Sequence, residues 1–180
     1  MRRSYGTITL DREGFTARID QLIAVYMAAM RAPHEQLAGR QLIMAGHSAY
    51  PGFAALASMD DDEVAGFCYG FHGTPGQWWH DRVRAALGDR GGWLGDCLEL
   101  AELHVRPEYQ GRGIGSGLLR LLTIGRPERT VVLSTGDSET VARRMYRHTG
   151  FTDLLTGFRF DGVEEPYAIM GAELPLKPSR

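Results

Sequence analysis

Along the chain the spacing of hydrophobic positions switches repeatedly between helical and strand periods. Gly6-Thr-Ile-Thr-Leu10 alternates and predicts a first strand. From Asp20 to Arg31, Leu22, Val25, Tyr26 and Ala29 recur at helical spacing; the start could lie as early as Thr16, and Pro33 stops the helix. A second helix is predicted over Glu35 to Gly46, followed by a loop from Ser48 to Gly52. Phe53 to Met59 and Val64 to Phe71 predict a hairpin around the polar turn Met59-Asp-Asp-Asp-Glu63, and Gln77 to Leu87 predicts a helix inserted before the next strand. Thr130 to Thr135 is a short buried strand, and Asp137 or Ser138 could cap a helix that contains Glu139 and runs to His148. Phe151 to Phe160 and Tyr167 to Leu174 read as a terminal strand pair.

The strand Leu98-Glu-Leu-Ala-Glu-Leu-His-Val105 breaks its own period. Leu98 and Leu100 share one parity, Leu103 and Val105 the other, and a regular strand cannot place all four on one face. One extra residue near Ala101, a β-bulge, repairs the pattern. Glu99, Glu102 and His104 then fall on the face opposite the leucines. Such a kink would splay this strand from Thr130 to Thr135 and expose backbone groups of Leu103 and Val105.

Composition narrows the function. The chain has 180 residues, 43% hydrophobic and 23% charged, and suits one soluble domain spanning 1–180. No apolar run is long enough for a membrane span, and Met-Arg-Arg-Ser-Tyr-Gly lacks the apolar core of a signal peptide, so a cytoplasmic location is expected. A net charge of −2 argues against nucleic acid and anionic membranes as partners, and the arginines are scattered. Cys68 and Cys97 have no C-x-x-C spacing and read as buried free thiols; the six histidines show no ligand spacing, so no metal is expected.

The chemistry is concentrated where the central strand ends. Gln110-Gly-Arg-Gly-Ile-Gly115 is a glycine-rich turn that opens a helix through Leu118 and Leu119. Unpaired N–H groups at a helix start, with the helix dipole behind them, suit phosphate oxygens, and glycines let the backbone approach closely. The dinucleotide pattern G-x-G-x-x-G fails, because Ser116 or Leu118 stands at its third glycine. The P-loop fails too, since the only lysine is Lys177.

The segment resembles instead the Q/R-x-x-G-x-G/A pyrophosphate signature of the GNAT superfamily of acyl-CoA-dependent N-acyltransferases, with Gln110, Gly113 and Gly115 at its fixed positions. A second segment, Ala142-Arg-Arg-Met-Tyr-Arg-His-Thr-Gly-Phe151, is similar to the family's A-x-x-L/M-Y-x-x-x-G-F element. Glu139 stands where the family often has Asn. The resemblance is specific over about Leu98 to Phe151. It implies an α/β (α+β) fold: a mixed central sheet of about six to seven strands flanked by about four helices. The bulged central strand belongs to it, and the helical insert near 77–93 is extra. It also implies acetyl-CoA as co-substrate, bound by Leu103, His104 and Val105 along the pantetheine arm and by Gln110, Gly111, Arg112, Gly113, Ile114, Gly115 and Ser116 at the phosphates. Tyr146 would then protonate the departing thiolate, a feasible transfer because the two groups differ by about 1.5 units in reference pKa.

An amine acceptor must lose a proton before it attacks the thioester. Glu102 is the first candidate for the base, Glu99 the alternative and His104 the third. Backbone N–H groups near Leu103 to Val105 would polarise the acyl carbonyl. Neither cysteine sits in an activating motif, so direct transfer is expected without an acyl-enzyme. Trp78, Trp79 and Trp93 admit three roles: walls of an acceptor pocket, anchors of the insert, or contacts in a homodimer. The expected activity is N-acetyl transfer to a primary amine of a small molecule or peptide. Its alternatives are a non-catalytic acyl-CoA-binding module and a transferase for longer acyl chains.

Overall fold

The computed structural model describes residues 5–177, so the Met1–Ser4 part of the N-terminal segment lies outside the described residues. The elements run β1 (Gly6–Leu10), α1 (Arg12–Ala17), α2 (Ile19–Met30), α3 (Leu37–His47), β2 (Ala54–Asp60), β3 (Glu63–Gly73), α4 (Trp78–Leu87), β4 (Cys97–Val105), α5 (Ile114–Thr123), β5 (Thr130–Gly136), α6 (Val141–His148), β6 (Thr152–Phe158) and β7 (Tyr167–Glu173). The strands follow the sheet order β1-β2-β3-β4-β5-β7-β6. The first predicted helix is α2, and a short helix, α1, that the sequence pattern did not show precedes it. Asp11 caps α1 through the Gly14 amide (2.7 Å), and the chain breaks at Arg18 before α2 begins.

Contacts divide the chain into two compact units, Met1–Phe71 with Ala101–Leu122, and His72–Leu100 with Thr123–Arg180. In the first, β1, β2 and β3 pair antiparallel and bury Phe67, Tyr69 and Phe71 with Phe15, Leu22, Val25 and Met44 of the three N-terminal helices. Removing such side chains from water is the main stabilising term. In the second, β5 pairs antiparallel with β7 and β7 with β6. Their core joins Val132, Leu154 and Ile169 to Val83 and Leu87 of α4.

Gly66 of β3 positions the glycine turn. A Cβ there would lie 2.9 Å from the His104 carbonyl oxygen, 3.1 Å from Val105 Cγ2 and 3.3 Å from Ile114 Cγ2. Only a glycine lets the end of β4 and the start of α5 close over this strand. Nearby, the Arg106 amide donates to Ala65 O (2.9 Å) and its Nε to Val64 O (3.0 Å), fixing the exit of β4. Gly66→Ala is expected to cost about 1–3 kcal/mol of stability by overpacking against backbone, read as a lower midpoint in urea unfolding.

Candidate active site

The glycine turn is built from two sides. Gln110 donates from Nε2 to the Val105 carbonyl (2.9 Å), tying the turn to the end of β4. Arg112 is exposed: its guanidinium donates to Glu108 O (2.8 Å) and the Tyr5 hydroxyl and lies over the Tyr109 ring, 5.4 Å from the centroid. The Tyr109 hydroxyl reaches Asp60 and Glu63 at 3.0 and 3.1 Å, so half of the acidic turn has a structural partner. Gly111 and Gly113 have φ of +74° and +82°, the left-handed region that favours glycine. A Cβ on either would meet nothing within 4 Å. The first hydrogen bond of α5 runs from the Gly117 amide to Gly113 O (2.9 Å), leaving the amides of Ile114, Gly115 and Ser116 without intrahelical acceptors. Ser116 turns its hydroxyl back to Gly113 O (3.0 Å), and Ile114 is buried beneath. Open space beside three unpaired helix-start amides is the geometry that holds a phosphate.

Strand β4 changes character along its length. Its parallel register with β5 is recorded for Cys97, Leu98 and Glu99, against Thr130, Val131 and Val132. Cys97 to Leu100 are buried, and every residue from Ala101 to Val105 is half-buried, the arm residues Leu103, His104 and Val105 among them. Ala101 packs against the core of the N-terminal helices. The next residue, Glu102, meets Arg40 of α3, and His104 sets its ring edge-on to Tyr26 of α2. Ala101 and Glu102, consecutive residues, thus both face the N-terminal helices.

The two candidate carboxylates sit in opposite environments. Glu102 has both oxygens engaged, Oε1 with Arg40 (2.9 Å) and Oε2 with His104 Nε2 (2.5 Å). Burial would raise its pKa, but the His104 hydrogen bond and the charges on His104, Arg40 and His47 outweigh it and hold the carboxyl below its ordinary value. Glu99 is buried, its Oε2 has no hydrogen-bond partner among the described residues, and burial pushes its pKa up to about 8. It belongs to the second unit with Cys97, whose thiol burial pushes up to about 12, with the Glu99 charge adding to the shift. Cys68 shifts upward for the same reason of burial, so neither free thiol is an activated nucleophile.

Tyr146 is buried on α6 in the second unit, 5.4 Å from the Phe151 ring. The α6 start corrects the predicted cap: Thr140 caps the helix through the Arg143 amide (3.0 Å), and Glu139 lies outside it, paired with Arg147 at 2.5 Å. Its buried face carries Arg143, Tyr146 and Thr149, while Ala142 is exposed. Arg143 pays for its place in the interior with two carboxylates, Asp137 at 2.6 Å and Asp153 at 3.1 Å. Gly150, at φ +101°, closes the helix, and Phe151 N–H returns to Tyr146 O (3.0 Å).

Residues 19–151 match the model of the Acetyltransferase (GNAT) family. The GCN5-like protein acetyltransferase Rv2170 of Mycobacterium tuberculosis (strain ATCC 25618 / H37Rv) is 33% identical over 205 residues, covering 94% of this chain and 98% of that protein. The chain belongs to the GNAT family of acetyltransferases. As a GNAT protein it is an acyltransferase, and its fold agrees with solved relatives. A GNAT-family protein from Desulfovibrio desulfuricans superposes with a TM-score of 0.69 at 16% identity, covering 94% of this chain and 99% of that one. YncA of Salmonella typhimurium, solved with its cofactor acetyl-CoA, gives 0.67 at 15% identity, covering 99% and 98%.

The helical insert of this GNAT domain anchors itself. Trp79 donates from Nε1 to Ser134 Oγ (3.0 Å), and Trp93 packs so closely on β7 that a Cβ on Gly171 would lie 3.0 Å from its ring. Trp78 is 57% exposed and stacks on Phe160. Two of the three tryptophans are therefore anchors. Sequence reasoning missed two charged residues, one in each unit. Arg40 on α3 carried no signal, because its partner Glu102 lies 62 positions away. Arg143 could have been found from the acids that flank its motif, Asp137 and Asp153. No cluster of three or more potential metal ligands is present among the described residues.

Glu99 makes stability depend on pH. Its carboxyl titrates near 4.5 without the fold and near 8 within it, so the folded chain holds an extra proton between those values. Stability from this group is full below about 4.5 and is lost as pH rises through about 8. Glu99→Gln should match wild type at the acid end and exceed it by on the order of a few kcal/mol at alkaline pH, measured as paired thermal unfolding curves.

Proposed function

We propose that this chain transfers the acetyl group of acetyl-CoA to a primary amine of a small molecule or peptide by direct attack. The observation that carries this reading is the glycine turn, with its open left-handed glycines and unpaired α5 amides. The residues present suit the coenzyme: Gly111 to Ser116 would cradle its pyrophosphate, and the β4 backbone from Leu103 to Val105 would take its amide-bearing arm. Bound there, acetyl-CoA supplies a thioester whose carbonyl carbon the amine attacks.

The chain then has two protons to manage. Glu102, with both oxygens engaged and its pKa lowered, is a poor acceptor for the proton of an alkylammonium. Glu99, shifted towards 8 and with one oxygen unpartnered, is better matched to that task. We assign it the base role that the sequence gives first to Glu102. Tyr146 protonates the leaving sulfur. Buried thiols with raised pKa favour direct transfer over an acyl-enzyme.

Calorimetry with acetyl-CoA tests the first step. Wild type should bind, and Gly113→Glu should lose binding, because a carboxylate replaces open space at a strained φ. Absence of binding to wild type would make the turn merely structural. Tyr146→Phe should keep acetyl-CoA affinity and lower kcat by about 10²–10⁴-fold; retention of both affinity and turnover would remove Tyr146 from the mechanism. The rate should climb as pH passes about 8, and Glu99→Gln should erase that limb of the profile.

A further inference from the structure

The polar cluster that acetyl transfer leaves unused surrounds Glu102, wholly within the first unit. Its carboxylate side chain is 10% exposed, whereas the Arg40 side chain on it is 31% exposed. The guanidinium carbon lies over the Tyr26 ring, 4.7 Å from the centroid. His104 closes a third side through Glu102 Oε2, and its ring meets those of Tyr26 and Phe67 at 5.1 and 5.8 Å. A carboxylate beneath, an aromatic face and an imidazole edge make a box for an organic cation, and one from the chain itself already occupies it.

We propose that Glu102, Tyr26 and His104 form a subsite for a second positive charge on the acceptor, a guanidinium or ammonium, which exchanges with Arg40. The order of burial distinguishes this pair from those of Arg143 and Arg126. Arg143 is itself buried, at 7% side-chain exposure, and Arg126 at 13% sits on a Glu128 buried to 2%, so neither guanidinium can be displaced from outside. Arg40 approaches its carboxylate from the solvent side on α3, a helix with only Met44 fully buried among its residues and no side-chain cap at its start. When Arg40 swings away, Glu102 Oε1 loses its partner while Oε2 keeps only His104, and another cation is favoured in Arg40's place. Glu102 also directly precedes Leu103 to Val105, the backbone assigned to the acyl carbonyl. A cation held there belongs to the acceptor whose other end attacks the thioester, and its binding energy raises kcat/KM for the two-headed substrate.

This inference rests on the amine-acetylation reading, and the test separates the two. Agmatine, a primary amine with a guanidinium at its far end, is compared with butylamine, which lacks the second charge. Wild type should favour agmatine in kcat/KM by about tenfold or more, and Glu102→Gln should bring the ratio near unity. Calorimetry should show agmatine binding Arg40→Ala at least about tenfold more tightly than wild type, with the gain lost in Arg40→Ala/Glu102→Gln. An agmatine preference that survives Glu102→Gln, or no gain in Arg40→Ala, overturns the subsite. If Arg40→Ala does not fold, the wild-type and Glu102→Gln ratios decide alone. If neither amine is acetylated while agmatine still binds Arg40→Ala, the acetylation reading falls and the cation subsite stands.

Discussion

Strand β4 must serve two sets of neighbours, and the site depends on how it changes from one to the other. As far as Glu99 it is an interior strand, hydrogen-bonded in parallel register with β5 and buried. From Ala101 it becomes half-buried, and its polar side chains turn to α2 and α3. A strand that kept its first pairing would have no backbone to offer a ligand arm. The change falls between two glutamates, Glu99 and Glu102, and Gly66 lets the continuation of the strand close beneath the glycine turn.

That change gives two identical side chains, three positions apart, opposite electrostatic characters. Glu99 lies where desolvation is uncompensated, so the neutral acid is favoured near neutral pH. Glu102 lies where a guanidinium and an imidazole repay the same desolvation, so it stays ionised. Environment, not residue type, keeps one carboxyl neutral near neutral pH and the other ionised. The third buried charge, Arg143, has a different task. Its two carboxylates lock α6, and with it Tyr146, to the end of β5 before it and the start of β6 after it.

Much of this was legible in the sequence because it is local. The glycine turn, the helix after it and the A-x-x-M-Y-x-x-x-G-F segment are short runs whose residues dictate their own geometry, and Gly150 takes the left-handed conformation that its place at a helix end requires. The parity break in β4 was visible because side chains alternate along any strand. The insert was visible from its helical spacing, but the role of its tryptophans was not: Trp79 is explained by Ser134 and Trp93 by Gly171, both far away in the chain. The buried arginine of α6 ran against hydrophobic patterning, since apolarity marks a core face only where no carboxylate waits inside.

By itself, then, the order of residues determined the fold class, the glycine turn and the shortlist of Glu99, Glu102, His104 and Tyr146. These follow from period, turn chemistry and motif spacing, which act over a few residues. Only tertiary structure decided which carboxylate is free and which is paired. Desolvation and ion pairing depend on what packs against a side chain, and for Glu102 the decisive neighbour arrives from α3, 62 positions earlier in the chain.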